Sequence, residues 1–158
     1  MRKDLLRVSL AACCAIVLSS SAALAADNWL GTWKMDGGKS KYSPGPGPKS
    51  LTLKFEATSG GIKFTGDGVN ADDTPNHSMF LSKFDGKDVP YEGNPEADTA
   101  QPRKIDDNSY SNTWKKGGKT TITAKVVVSA DGKTMTITQT GSNVKGEAVN
   151  NVIVYTKQ

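Results

Sequence analysis

The chain has 158 residues, with 20 basic residues, 16 acidic residues and a formal net charge of +4. The basic residues are scattered singly among acids and threonines instead of clustering with aromatic residues, which argues against a nucleic-acid-binding surface. Both cysteines, Cys13 and Cys14, lie in the N-terminal segment that we expect to be removed. The rest of the chain therefore has no cysteine for a disulfide, a thiolate metal site or nucleophilic catalysis.

The N-terminal segment has the pattern of an export signal. Three basic residues lie within the first seven positions, and residues 8–24 are apolar or small and uncharged. This run ends on Ala23-Leu24-Ala25, the small-x-small pattern that signal peptidase requires, and it is nearer the length of a signal core than the roughly 20 residues of a membrane span. We therefore predict a signal peptide over residues 1–25, cleavage after Ala25, and a mature domain over residues 26–158 in the periplasm or outside the cell.

A lipoprotein signal is the alternative for this segment, because Leu10-Ala11-Ala12-Cys13 has the pattern at which such proteins are cut and lipidated. Only five uncharged residues separate Arg7 from Cys13, fewer than the roughly 7 to 15 of an apolar signal core. We therefore expect a soluble mature protein without lipid or stable membrane insertion, and we expect a monomer. An intact mass that includes lipid on Cys13 would contradict this expectation.

Beyond residue 25, the periodicity is that of strands. Leu51, Leu53 and Phe55 alternate with polar residues, Ser59-Gly60-Gly61 can reverse the chain, and the alternation resumes at Ile62. Glycine, asparagine, aspartate and proline interrupt every apolar run before it reaches the length of a helix. The pattern predicts an antiparallel hairpin with a glycine-rich turn.

The same pattern over the rest of the chain predicts nine or ten strands, at residues 29–35, 51–55, 62–64, 76–84, 102–105, 110–114, 120–129, 135–138 and 149–156. Asp131-Gly132 is a strong hairpin turn, and polar loops are predicted at residues 42–48, 93–98 and 140–145. Strands in hairpin succession form a meander, and closing the meander removes its exposed edges. We predict an all-β, antiparallel up-and-down meander closed into a β-barrel, in preference to a sandwich.

Gly31-Thr32-Trp33-Lys34 resembles the Gly-x-Trp opening shared by lipocalins and fatty-acid-binding proteins, the calycin group of barrels. Further motifs follow in the order of the fatty-acid-binding branch: Asp85-Gly86-Lys87, the Trp114 strand, Asp131-Gly132-Lys133-Thr134-Met135 and Val154-Tyr155-Thr156-Lys157. The resemblance spans most of residues 29–158. It implies a closed lipocalin-like barrel in which Trp33 is a structural plug across the closed end.

The chain departs from the fatty-acid-binding pattern at two places. Residues 39–48 are too few and too rich in proline for that family's helix-turn-helix lid. Ile153 occupies the position of the family's carboxylate-binding arginine, two residues before Tyr155. The resemblance therefore does not imply fatty-acid binding in the family's manner. The opening and ending are also similar to those of small exported bacterial proteins, a resemblance that implies no activity.

Few residues point to catalysis or to a metal. His77 is the only histidine, and we expect it to be a hydrogen-bonded surface or wall residue instead of a general base. The acidic pairs at 72–73 and 106–107 lie where carboxylates cap turns. Residues 67–73 are rich in oxygen ligands but lack the spacing of a calcium-binding EF-hand loop. We predict no metal, no cofactor and no enzymatic activity.

The candidate ligand site rests on strand alternation. Tyr110, Asn112 and Trp114 share one face of a strand, and two aromatic side chains with an amide suit a pocket for a partly polar ligand. Arg103 is the candidate to pair an acidic group of the ligand by a bidentate contact. Further aromatic residues are expected to complete the wall: Phe64, Phe80, Tyr91 and Tyr155.

These observations favour a binding protein for a small hydrophobic or amphipathic molecule. The alternative is an interaction or envelope-stress module that has a filled core and acts through its surface. A hydrolase or isomerase is the least favoured class, because it would require His77 or paired acids to converge in a pocket.

Overall fold

The structure is a computed structural model that describes residues 27–158. The predicted signal peptide, its cleavage site and Cys13 lie outside the described residues. The described part contains ten strands: β1 (Gly31–Lys41), β2 (Ser50–Thr58), β3 (Gly61–Val69), β4 (Pro75–Ser82), β5 (Val89–Pro90), β6 (Thr99–Asp106), β7 (Ser109–Lys116), β8 (Lys119–Val128), β9 (Thr134–Ser142) and β10 (Ala148–Lys157). In residues 27–158, no helix has the length and apolar character needed to cross a membrane.

The ten strands form one antiparallel sheet in the order β4-β3-β2-β1-β10-β9-β8-β7-β6-β5. The two ends of this sheet meet, because the backbones of Met79 and Glu92 exchange hydrogen bonds of 3.0 and 2.9 Å. A further bond of 2.9 Å joins Lys104 N to Phe84 O. These contacts nearly close the sheet into a barrel, which confirms the predicted all-β meander and its closure.

The hairpin of β2 and β3 shows how the sequence sets the register. Leu53 and Phe55 are 3% and 2% exposed, whereas Lys54 between them is exposed. The turn requires Gly61, whose φ is +132° and where a Cβ would lie 2.5 Å from the carbonyl oxygen of Ser82. This turn aligns Phe55 with Phe64 across the hairpin and brings both rings to the inside of the barrel.

One end of the barrel is filled by two tryptophans. Trp29 and Trp33 are both fully buried, and Trp33 Nε1 donates a 2.8 Å hydrogen bond to Trp29 O. Tyr110 packs edge-on against Trp29, with ring centroids 5.4 Å apart. Lys157 Nζ lies 5.0 Å from the centroid of the Trp33 ring. We call this the packed end of the barrel.

Several strand boundaries differ from those predicted, and one strand was not predicted. Trp29 precedes β1 and lies in a turn, which is closed by a 3.0 Å hydrogen bond from Leu30 N to Asp27 O. Strand β9 continues to Ser142, whereas a loop was predicted to start at residue 140. The prediction failed there because threonines on an exposed strand face resemble a polar loop in sequence. The two-residue strand β5 was not predicted, since a strand so short has no period to detect.

Candidate functional site

An internal cavity of about 270 Å³ lies between the packed end and the opposite end of the barrel. Most of its wall consists of inward-facing residues from strands β2 to β4 and β7 to β10, and the rest comes from residues near two loops. The lining residues are Tyr42, Pro48, Leu51, Leu53, Phe64, Asn76, Ser78, Phe80, Tyr91, Gly93, Asn94, Pro95, Glu96, Tyr110, Asn112, Trp114, Ala124, Val126, Ile137, Gln139, Ile153 and Tyr155.

Small residues occupy inward positions in two parts of the barrel. On β3, Gly66 lies between Leu53 and Ser78 of the flanking strands. A Cβ at Gly66 would approach Ser78 Oγ to 3.0 Å and Phe64 Cζ to 3.3 Å. On β8, Ala124 lies between Asn112 of β7 and Gln139 of β9. A larger side chain at Ala124, which lines the cavity, would extend into that space, whereas one at Gly66 would meet side chains that are already packed there.

Aromatic rings form much of the cavity wall. Phe64 and Phe80 are neighbours on β3 and β4, and their rings are stacked with centroids 4.7 Å apart. Tyr91 lies nearly perpendicular to Phe80, at 5.3 Å, and contacts the Trp114 ring at 5.6 Å on its other side. Rings that support one another in this way hold a defined apolar surface towards a ligand.

Amide groups add hydrogen-bonding capacity to this apolar wall. Asn112 is 5% exposed, and its Oδ1 accepts a hydrogen bond from Gln101 N at 3.1 Å. Gln139 Oε1 accepts from Asn151 Nδ2 at 3.0 Å. Amide groups carry both donors and acceptors, so Asn112 and Gln139 suit a ligand that has a polar group.

Trp114 has an unused donor. Its Nε1 atom is buried and has no hydrogen-bond partner among the described residues. The same is true of Trp29 Nε1 at the packed end, but only Trp114 lines the cavity. Buried indole N–H groups usually have a partner, so Trp114 combines a ring that lines the cavity with an indole N–H whose hydrogen bond is unsatisfied among the described residues.

Residues 93–98 form a loop that borders the cavity opposite the packed end, and we call it the mouth loop. It begins at Gly93, where φ is +71° and a Cβ would lie 2.1 Å from His77 O. Its middle is held by two contacts of Glu96. The backbone oxygen accepts from Thr121 Oγ1 at 2.8 Å, and Oε2 accepts from Val144 N at 2.7 Å. These bonds connect the loop to β8 and to the β9–β10 turn.

The proline-glycine connector at residues 42–48 lies at the same end of the cavity. Ser43 fixes it to β10, because its N–H donates to Asn151 Oδ1 at 2.9 Å and its carbonyl accepts from Asn150 N at 2.7 Å. Tyr42 and Pro48 contribute to the lining. The polar loops predicted at residues 42–48 and 93–98 therefore both border the cavity.

Burial keeps the lining tyrosines protonated. It raises the pKa of Tyr42 from 10.0 to about 12, and it also raises the pKa of Tyr91, Tyr110 and Tyr155. The cause is the loss of hydration that a phenolate would need. Near neutral pH these hydroxyls are uncharged and can both donate and accept hydrogen bonds.

Seven of the eight candidate ligand-binding residues line the cavity: Phe64, Phe80, Tyr91, Tyr110, Asn112, Trp114 and Tyr155. Arg103 does not. It lies on the outer, exposed side of β6, next to the buried Pro102, and its side chain passes beside Gly86. The structure thus removes the cation that was expected to meet an acidic ligand group. Trp33, the predicted plug, is buried and does not line the cavity.

Sequence analysis missed much of the polar lining. Ser78 and Asn76 follow the alternation of β4 from Phe80, and Gln139 follows that of β9 from Ile137, so their positions were available from periodicity. Glu96 had no such signal. It lies in a loop, and only the path of that loop brings it to the cavity.

The residues considered for catalysis lie elsewhere. His77 Nδ1 is 2.6 Å from Asp67 Oδ1, and both side chains are 63% exposed on the outside of β3 and β4. Asp72 accepts from Thr74 N at 3.1 Å, and Asp106 accepts from Asn108 N at 2.8 Å, as expected for turn caps. Among residues 27–158, no group of three His, Cys, Asp or Glu residues is arranged to hold a metal ion.

The chain is similar to the zebrafish ileal bile acid-binding protein, solved in complex with cholic acid. The identity is 11%, the TM-score is 0.46, and the match covers 83% of this chain and 99% of that chain. No family model matches the chain, and no curated protein matches it significantly.

Proposed function

We propose that this protein is exported to the periplasm or beyond and binds a small, partly apolar molecule inside its barrel. The observation that carries the proposal is the cavity of about 270 Å³ in a barrel that is otherwise well packed. Its volume is close to the lower limit of about 300 Å³ for ligand sites, so the ligand is smaller than a typical drug-sized molecule.

The chemistry of the lining supports this function. Stacked aromatic rings offer apolar contact, while the amides of Asn112 and Gln139 offer hydrogen-bonding groups. Apolar walls with a few converging polar groups are typical of small-molecule sites. The surface-acting alternative requires a filled core. The exposed large hydrophobic residues also give it little support, since they lie on separate elements: Leu81, Ile105, Val127 and Val144.

A neutral test ligand, 2-naphthylmethanol, can check the proposal by NMR. The chain has three tryptophans, and thus three indole N–H signals. We expect the Trp114 signal to shift on titration, while the buried Trp33 signal stays in place because its Nε1 already donates to Trp29 O. For a ligand of about a dozen heavy atoms, a Kd of about 0.1–1 mM is expected.

A pair of leucine substitutions on β8 tests the location. Ala124 faces the cavity, whereas its neighbour Thr123 faces outward and is exposed. Ala124→Leu fills part of the cavity and is expected to abolish the titration. Thr123→Leu adds a leucine to the same strand and is expected to leave the titration unchanged. Equal binding by both variants, or no binding by the unmodified protein, would refute the proposal.

Native mass spectrometry of the protein purified from its own host tests for a natural ligand. A mass that exceeds the polypeptide by a constant small increment, and that Ala124→Leu loses, is the expected result. Protein that arrives empty and also ignores the neutral test ligand would contradict the proposed function.

A further inference from the structure

The charge of the cavity lining is strongly one-sided. Of the described residues that line it, only Glu96 carries a full charge at neutral pH, since no lysine, arginine or histidine contributes to the wall. Arg103 lies outside the barrel. Lys115, adjacent to Trp114 in sequence, points its Nζ to both carboxylate oxygens of Asp88 at 2.8 Å. Lys115 is therefore paired outside the cavity.

Glu96 is held beside the aromatic wall. Thr121 Oγ1 lies 2.8 Å from Glu96 O and 3.3 Å from Trp114 O, so a single side chain connects the mouth loop to the end of the Trp114 strand. The next residue, Ala97, is 2% exposed and anchors the loop in the core. Glu96 Oε2 accepts from Val144 N, and Oε1 receives no hydrogen bond from residues 27–158. Glu96 therefore adds a negative charge to the lining, with one carboxylate oxygen that receives no hydrogen bond from residues 27–158.

Aromatic rings and a carboxylate both favour a cationic ligand over an anionic one. The faces of tryptophan and tyrosine rings attract cations, and the attraction increases when water is excluded. A carboxylate attracts an ammonium group by Coulomb interaction, strengthened by the low dielectric of a cavity. An anionic ligand would be repelled by Glu96 and would lose its hydration without gaining a cation in return.

We propose that the cavity selects its ligand by charge and that the natural ligand carries an amine or other cationic group, placed near Glu96 and Trp114. This inference rests on the proposed function, because it concerns the occupant of the same cavity. Among ligands that share one apolar body, the amine binds most tightly, the alcohol less tightly and the carboxylate least.

Three ligands with a common ring system test the order: 2-naphthylmethylamine, 2-naphthylmethanol and 2-naphthoate, titrated at neutral pH by calorimetry. We expect the Kd of the amine to be at least about tenfold below that of the carboxylate, the effect of one partly screened charge contact. Glu96→Gln keeps an oxygen acceptor for Val144 N and removes the charge. It is expected to weaken amine binding about fivefold or more, and to change alcohol binding less than about twofold.

The matched control is Glu92→Gln. Glu92 is exposed and does not line the cavity, so the variant makes the same change in net charge, four residues away in sequence. We expect it to leave all three affinities within about twofold of the unmodified protein, since the exposed charge of Glu92 is largely screened by salt. An equal effect of both variants would mean that net charge, and not Glu96, sets the preference.

The outcomes separate the two proposals. If the alcohol binds, but the carboxylate binds as tightly as the amine or more tightly, charge selection is overturned and the binding function is left intact. The same conclusion follows if Glu96→Gln leaves amine binding unchanged. Failure of all three ligands to bind contradicts the proposed function together with the charge selection.

Discussion

Two buried tryptophans at the packed end differ in one hydrogen bond, and this difference predicts a difference in stability. Trp29 and Trp33 are both fully buried. Trp33 Nε1 donates to Trp29 O at 2.8 Å, whereas Trp29 Nε1 has no partner among the described residues. Replacing either with phenylalanine removes part of a buried ring system. Only Trp33→Phe also removes a hydrogen bond and leaves a buried carbonyl unpaired.

The expected cost follows from these two contributions. Loss of packing from either tryptophan is expected to destabilise the fold by about 2 kcal/mol, less than the 3–5 kcal/mol of a full truncation to alanine. A buried carbonyl left without a donor costs about 1–3 kcal/mol more. Trp33→Phe should therefore lower the free energy of unfolding by about 3–5 kcal/mol, and Trp29→Phe by about 2 kcal/mol.

Urea denaturation followed by far-ultraviolet circular dichroism measures this difference without relying on tryptophan fluorescence. With an m-value of about 2 kcal/mol/M, the Trp33→Phe midpoint should lie roughly 0.5–1.5 M below that of Trp29→Phe. Equal midpoints, or a lower midpoint for Trp29→Phe, would refute the assignment of the hydrogen bond as a main contribution of Trp33 to the packed end.

Three further predictions concern the mouth loop and the buried tyrosines. Gly93→Ala would place a Cβ 2.1 Å from a carbonyl oxygen at a φ of +71°, whereas a Cβ in Gly117→Ala meets nothing within 4 Å at a φ of +55°. The thermal midpoint should therefore fall much further in Gly93→Ala than in Gly117→Ala. Thr121→Val removes the bond to Glu96 O and should accelerate amide hydrogen exchange in residues 93–98, measured by mass spectrometry. Burial raises the pKa of Tyr42 to about 12, so the folded protein retains a proton that the unfolded chain releases above pH 10. The contribution of this group is complete below pH 10 and is lost between pH 10 and pH 12. Tyr42→Phe should therefore flatten the decline in urea midpoint between pH 10 and 12.

The sequence determined the fold class and much of the cavity wall. Two-residue alternation places Leu53 and Phe55 inside and Lys54 outside whatever the arrangement of other strands, because successive side chains in a strand point to opposite faces. The turn residues Gly61 and Asp131-Gly132 then join consecutive strands into a meander. The same alternation from Tyr110 to Trp114 correctly grouped three cavity residues on one face.

For β6, the alternation of apolar and polar residues did not identify which face of the strand points inward. Residues 102–105 read Pro-Arg-Lys-Ile, and in such a run the apolar residues at its two ends fall on opposite faces. Pairing with β7 resolves this ambiguity by aligning Pro102 with the inward-facing Asn112. Arg103 consequently faces outward, and Ile105 is 56% exposed.

Only the tertiary structure decided that the barrel has a cavity and that Glu96 is the charged residue of its lining. Residues far apart in the chain, such as Phe64 of β3 and Ala124 of β8, form the cavity wall, and periodicity within one strand does not reveal what lies across the interior. Glu96 reaches the wall through the hydrogen bonds of its loop to Thr121 and Val144. Local sequence fixes which way a strand residue points, whereas the three-dimensional path of the chain fixes what it faces.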